Sequence, residues 1–249
     1  MKKILLVLLL IFPTILFTNT VEAKNFGYGI KKEENHQIPY PGKEIATLIE
    51  KFGGFYIGDT NSKDIYLTFD AGYENGNTPS ILDTLSKTDV KAAFFLTGHY
   101  LDKNADLVLR MANEGHVVGN HTWHHPNICK LNKEGLKEEI GLMERKYREI
   151  TGEEMPKFFR PPEGTFNEQS LKWIQELGYK TVFWSLAYVD WKHEQKKGRD
   201  YAYNSIMNYV HNGAIILLHT VSEDNKLALE DIILDLKSQG YSFKSLYDL

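Results

Sequence analysis

The chain has 249 residues, 42% of them hydrophobic and 25% charged, an ordinary globular composition with enough length for one domain and a sizeable core. A formal charge of −4 argues against a nucleic-acid binder and against a cationic membrane-surface peptide. A single cysteine, Cys129, excludes an intrachain disulfide framework and argues against a small disulfide-stapled extracellular module. In chain order, Met1-Lys2-Lys3 precede an apolar stretch from Ile4 to Phe17, followed by polar residues ending Val21-Glu22-Ala23. This pattern predicts a secretory signal peptide over residues 1–23, cut after Ala23. A retained anchor is the alternative. The stretch is shorter than the ~20 residues of a spanning helix, and Pro13 interrupts it. No later segment is long and apolar enough to span a membrane.

Residues 24–63 are expected to form an N-terminal extension packed on the domain that follows, over 64–249. In that domain strand-like and helix-like segments alternate. Ile65–Phe69 reads as a strand with Ile65, Leu67 and Phe69 on one face. Thr78–Lys87 reads as a helix, Ala92–Leu96 as a buried strand, and Asn104–Asn113 as a helix stopped by Gly115. A strand covers His116–Gly119, and Asn132–Ile150 places Leu136, Ile140, Met143, Tyr147 and Ile150 on one helical stripe closed by Gly152. Phe158-Phe159, a helix over Asn167–Leu177, a strand over Thr181–Trp184 and a helix over Tyr201–Tyr209 continue the alternation. Ala214–Leu218 is the clearest buried strand. The last helix carries Leu229, Ile232, Ile233 and Leu236 ahead of Gly240. Such alternation implies a parallel sheet, because parallel neighbours need a crossover. An open doubly wound sheet would gather its site at one switch point, so a barrel of parallel strands is preferred.

Asp70, His121, His125, Arg160, Asp190 and His219 each follow closely on a short apolar run. In a parallel barrel those ends share one mouth, where barrel enzymes carry their chemistry. His121-Thr122-Trp123-His124-His125 spaces two imidazoles so that a single helical turn could aim both at one ion. The bland reading is a solvated pair. Asp70 before Ala71-Gly72 could be a turn former, and Arg160-Pro161-Pro162-Glu163-Gly164 a rigid loop. His219 is harder to dismiss, since an ionisable group directly after an apolar run sits where its pKa can be tuned. Carboxylates, an arginine and histidines at one rim point to a metal-assisted hydrolase. Lys192, Lys196, Lys197 and Arg199 form a basic run that could meet a carboxylate, with a solvated loop as the plainer account.

The strings TFDAGYENG, HTWHH, RPPEG, VDW and LLHT, in this order, resemble the polysaccharide deacetylases of carbohydrate esterase family 4, which share the nodulation-deacetylase homology domain. The resemblance implies an α/β fold, a distorted (β/α) barrel, and removal of acetyl from an N-acetylated sugar with a divalent metal ion of the zinc, cobalt or manganese type. It implies Asp70 as catalytic base, His121 and His125 as metal ligands, and Arg160 as the residue holding the base. Asp190 would tune the acid His219. Trp191 and Leu217 would wall the acetyl methyl, and the backbone N–H of Glu163 would help hold the oxyanion. Many members carry a second Asp where Ala71 stands, so the ion is expected to be weakly held. With the stretch before the barrel, FFLTGHY and FWSLAYVDW, the likeness is greatest to the branch in spore-forming bacteria that deacetylates N-acetylmuramic acid ahead of delta-lactam formation in the cortex. A secreted monomer acting on peptidoglycan glycan strands is the resulting expectation. Deacetylation of N-acetylglucosamine in peptidoglycan or chitooligosaccharides, and a glycan-binding pseudoenzyme, stand as alternatives.

Overall fold

The computed structural model describes residues 24–192 and 194–249. The expected signal peptide lies outside the described residues. Among those residues no helix is long and apolar enough to cross a membrane.

The elements are β1 (Phe26–Gly27), α1 (Lys43–Lys51), β2 (Asp64–Ala71), α2 (Thr78–Lys87), β3 (Ala93–Leu96), α3 (Gly98–Lys103), α4 (Ala105–Asn113) and β4 (Val117–Asn120). They continue with α5 (Lys133–Thr151), β5 (Phe158–Phe159), β6 (Thr165–Phe166), α6 (Glu168–Glu176), β7 (Lys180–Thr181), β8 (Leu186–Ala187), α7 (Arg199–Met207), β9 (Ile215–His219), α8 (Glu223–Ser238) and β10 (Ser242–Phe243). Local chemistry sets several boundaries. Asn132 caps α5 by accepting from Gly135 N–H, and the left-handed Gly152 ends it. Asn167 and Ser170 form a reciprocal capping box at the start of α6. Helix α3 is absent from the sequence expectation. Thr97 starts it by accepting from Tyr100 N–H, in a run too short to show a helical period.

Strands run β7-β5-β4-β3-β2-β9-β8 in one parallel sheet, with β10 alongside the start of β2. Of the strand expected over Thr181–Trp184 only Thr181 lies in a strand, β7, and a second short strand, β8, follows at Leu186. One stretch of chain forms both margins, pairing through β7 with β5 and through β8 with β9. Between the two, Phe55 bridges Val182. A segment that changes partners midway cannot keep one ladder, so the seam is irregular and the sheet curls round as a distorted barrel.

Strand alternation divides the apolar side chains into two layers. Ile65, Leu67, Phe69, Ala71, Phe94, Leu96, Val118, Ile216 and Leu218 pack with residues of the helices. Tyr66, Ala93, Phe95, Val117, Phe158, Val182 and Ile215 fill the concave side. Because all strands of this sheet are parallel, their C-terminal ends form one rim, and Asp70 continues the concave register of Tyr66. Residues 24–63 lie against the seam. Strand β1 pairs antiparallel with β6, Tyr28 packs on Phe183 at 4.6 Å, and Ile49 of α1 is buried with Phe166 and Leu171.

Gly119 in β4 has no room for a side chain, since a Cβ there would lie 2.6 Å from the Phe95 ring and 3.2 Å from the Phe158 carbonyl. Gly119→Ala is expected to destabilise the protein by about 1–3 kcal/mol through overpacking, read as a lowered midpoint in urea unfolding.

Candidate active site

Asp70, at the end of β2, is 7% exposed and faces the fully buried Arg160 that follows β5. Arg160 Nη1 donates to Asp70 Oδ1 at 2.7 Å, Nε to the Val182 carbonyl at 3.0 Å and Nη2 to the Phe183 carbonyl at 3.2 Å. Its guanidinium lies 4.1 Å above the Phe95 ring. Burial alone would push the Asp70 carboxyl up. The Arg160 charge, the His121 and His219 charges and the Arg160 hydrogen bond outweigh it and hold the carboxyl below its ordinary 3.8.

His121 follows β4, and its Nδ1 donates to the Arg160 carbonyl at 2.8 Å, which leaves Nε2 bare at 3.7 Å from Asp70 Oδ2. Burial lowers its pKa to about 4, so the imidazole is neutral near pH 7. The His125 ring stands 4.9 Å away, centroid to centroid. The two rings do not share a helical turn. They meet across a loop in which Thr122 and His125 both take left-handed φ values of 66° and 56°. Thr122 Oγ1 accepts from His125 N–H and steadies that loop. His124 turns outward to Glu139 at 2.7 Å.

The donor set suits a divalent ion on two imidazoles with solvent completing its shell. Among the described residues no three His, Cys, Asp or Glu side chains gather as a fuller cage. Ala71 offers no donor and is fully buried in the helix-facing layer.

His219 ends β9 and is the direct cross-strand neighbour of Asp70. Asp190, 6% exposed, accepts from His219 Nδ1 at 2.7 Å and from His219 backbone N–H at 2.8 Å. Burial would lower the imidazole's pKa, but the Asp190 charge and hydrogen bond raise it above the ordinary 6.5. Trp191 is exposed and tilts over His219 at 5.6 Å, while Leu217 is buried two residues before it in the same concave register. Glu163 sits in the loop after Arg160 with a left-handed φ of 56°. Beyond His125 a cleft of about 550 Å³ opens between Gly72-Tyr73 and Trp123.

Two polar groups of the site escaped the sequence reading, Asn225 and Tyr188. Asn225 donates to Asp190 Oδ2 at 2.7 Å and accepts from the Tyr188 hydroxyl. An Asn in the first turn of a helix reads as helix-start chemistry, so nothing local flags it. The basic run is largely paired off. Lys196 meets Glu223, Lys197 lies 4.4 Å over the Tyr201 ring, and Arg199 meets Asp231.

A family model described as polysaccharide deacetylase matches residues 57–182. The chain is 49% identical over 92% of its length to the peptidoglycan-N-acetylmuramic acid deacetylase PdaA of Bacillus subtilis, covering 87% of that protein. The chain belongs to the polysaccharide deacetylase family. The solved structure of Bacillus subtilis PdaA, described as a family 4 carbohydrate esterase, superposes with a TM-score of 0.89 at 48% identity, over 91% of this chain and 97% of that one. A peptidoglycan-N-acetylglucosamine deacetylase of Bacillus cereus is 38% identical over 80% of this chain and 72% of that protein. Deacetylases of this family generally depend on a metal ion.

In this deacetylase the Arg160–Asp70 pair has no solvent to fall back on. Arg160→Ala is expected to cost about 3–5 kcal/mol at pH 7, because it strands a buried carboxylate. The depressed Asp70 value makes the parent's gain complete above pH 3.8 and lost as pH falls through the lower folded value. Urea unfolding of parent and variant across that range should therefore converge in acid.

Proposed function

We propose that this chain is a secreted, metal-dependent deacetylase of N-acetylmuramic acid in peptidoglycan glycan strands, working as a monomer. The observation that carries the chemistry is the adjacency of Asp70 and His219 on β2 and β9, two ionisable groups tuned in opposite directions. Such a pair supplies a base and an acid at one pH. The similarity to PdaA supports the muramic substrate. Peptidoglycan lies outside the cytoplasmic membrane, which accords with a signal peptide over residues 1–23.

Asp70, kept ionised and fixed in direction by Arg160, takes a proton from the attacking water as its oxygen bonds to the acetamide carbon. In this reading the backbone N–H at Glu163 would donate to the developing oxyanion. His219, protonated with the help of Asp190, gives its Nε2 proton to the departing nitrogen. The C–N bond breaks, acetate leaves, and the amine stays on the sugar, free to close a lactam. Trp191 and Leu217 wall the space for the methyl group. His121 and His125 would hold the divalent ion, which when bound polarises the carbonyl and acidifies water.

The kcat/KM for acetate release is expected to fall in acid as Asp70 protonates below 3.8, and in base as His219 loses its proton above 6.5. Asp70→Asn and His219→Ala should each lower kcat by at least ~100-fold while the fold persists by circular dichroism. Parent-level activity in either would remove the role assigned. Chelation should abolish acetate release, and added zinc, cobalt or manganese should restore it. Mass spectrometry of the digested glycan separates the substrates, since a deacetylated muramic residue can cyclise with loss of water. A product carrying free glucosamine would instead favour the N-acetylglucosamine reading that the Bacillus cereus relative supports.

A further inference from the structure

Behind the His219 ring a buried polar chain runs from the segment after β8 to the first turn of α8. Both carboxylate oxygens of Asp190 are committed within it. Oδ1 accepts from His219 Nδ1 at 2.7 Å, and Oδ2 accepts from His219 N–H at 2.8 Å and from Asn225 Nδ2 at 2.7 Å. Asn225 is 1% exposed, and its Nδ2 also lies 3.2 Å from the His219 carbonyl. Its backbone is pinned as well, because Ser222 Oγ caps α8 by accepting from Asn225 N–H at 3.2 Å.

An amide can face its neighbours in two ways, and here the choice is decided. The Asp190 carboxylate and the His219 carbonyl can only accept, so Nδ2 must face them, and Oδ1 is left to accept from the buried Tyr188 hydroxyl. Flipping the amide would press its oxygen against both Asp190 and the His219 carbonyl and lose the bond that Oδ1 accepts from Tyr188. Burial raises the Tyr188 phenol far above its ordinary value, so it remains a donor at any working pH.

We propose that Asn225, oriented by Tyr188, is a positioning residue that holds the Asp190 carboxylate in line with His219 Nδ1 and leaves Nε2 to face the reacting amide. The inference rests on the reading of His219 as proton donor. Neither Asn225 nor Tyr188 touches the substrate in this scheme, and both act through Asp190. Without Asn225, only groups of His219 itself remain, among the described residues, as donors to the carboxylate, which can swing about its Cβ–Cγ bond. The charged groups facing His219 are Asp190, Asp70 and Arg160, and those facing Tyr188 are Asp190 and Asp224. Loss of a fixed Asp190 leaves Arg160 opposing the imidazolium with less compensation, so the ring should lose its proton at lower pH.

The test measures acetate release from glycan strands stripped of peptide, by the metal-loaded full chain, for Asn225→Ala, Tyr188→Phe, the double variant and His219→Ala. Asn225→Ala should lower kcat on the order of tenfold, the effect of losing one hydrogen bond to a charged group, with KM within about twofold. Its alkaline limb should move to lower pH. Tyr188→Phe should cause a smaller loss that disappears in the Asn225→Ala background, because its effect passes through the amide. Tyr188→Phe keeps the buried ring, so it decides the matter alone if Asn225→Ala does not fold. Parent-like kcat and alkaline limb in Asn225→Ala, parent-like kcat in Tyr188→Phe, or additive losses in the double variant would each overturn the inference. An active His219→Ala would instead overturn the proton-donor reading on which it rests.

Discussion

The structure turns on one buried cation. Arg160 is fully inaccessible, yet its guanidinium has three hydrogen bonds and an aromatic ring beneath it. Two of those bonds go to Val182 and Phe183, carbonyls of the stretch that joins the two margins of the sheet. The third goes to Asp70 in the central strand. One side chain therefore ties closure of the barrel to the ionisation of the proposed base. A lysine could not do the same, having one compact charge instead of a planar fork that reaches three partners at fixed angles.

Around that pair the rim separates protons by environment. Asp70 and His219 are neighbours across β2 and β9, both buried enough for desolvation to oppose their charge. Each has a dedicated counter-charge, Arg160 for one and Asp190 for the other, and each counter-charge prevails over burial. His121 has no such partner on Nδ1, only the Arg160 carbonyl, and stays neutral. A neutral imidazole with a bare Nε2 can serve as a metal ligand, whereas a charged one can serve as an acid. Residue type alone does not distinguish His121 from His219. Their hydrogen-bond partners do.

Ala71 shows how a strand end limits the chemistry available. Its side chain is sealed in the layer under the helices, on the opposite face from Asp70. Among the described residues the donor set around the two imidazoles includes no third protein ligand, and solvent would complete the shell of an ion bound there. The overlap with PdaA covers about nine-tenths of the chain, so the surroundings of this site belong to the same architecture.

The alternation of apolar strands with amphipathic helices was legible in the sequence because period and polarity are local properties. So was the placement of Asp70, His121, Arg160 and His219 just beyond apolar runs. A parallel sheet then had to collect those ends on one side. The partners had to come from tertiary structure, because register between segments far apart in sequence is set by packing. Only the fold made His219 the neighbour of Asp70 and split the stretch from Lys180 to Ala187 between two partners. Only the fold paired the imidazoles across a left-handed loop and brought Asn225 of α8 behind Asp190. Local pattern determined which residues reach the rim, and long-range packing decided which of them touch.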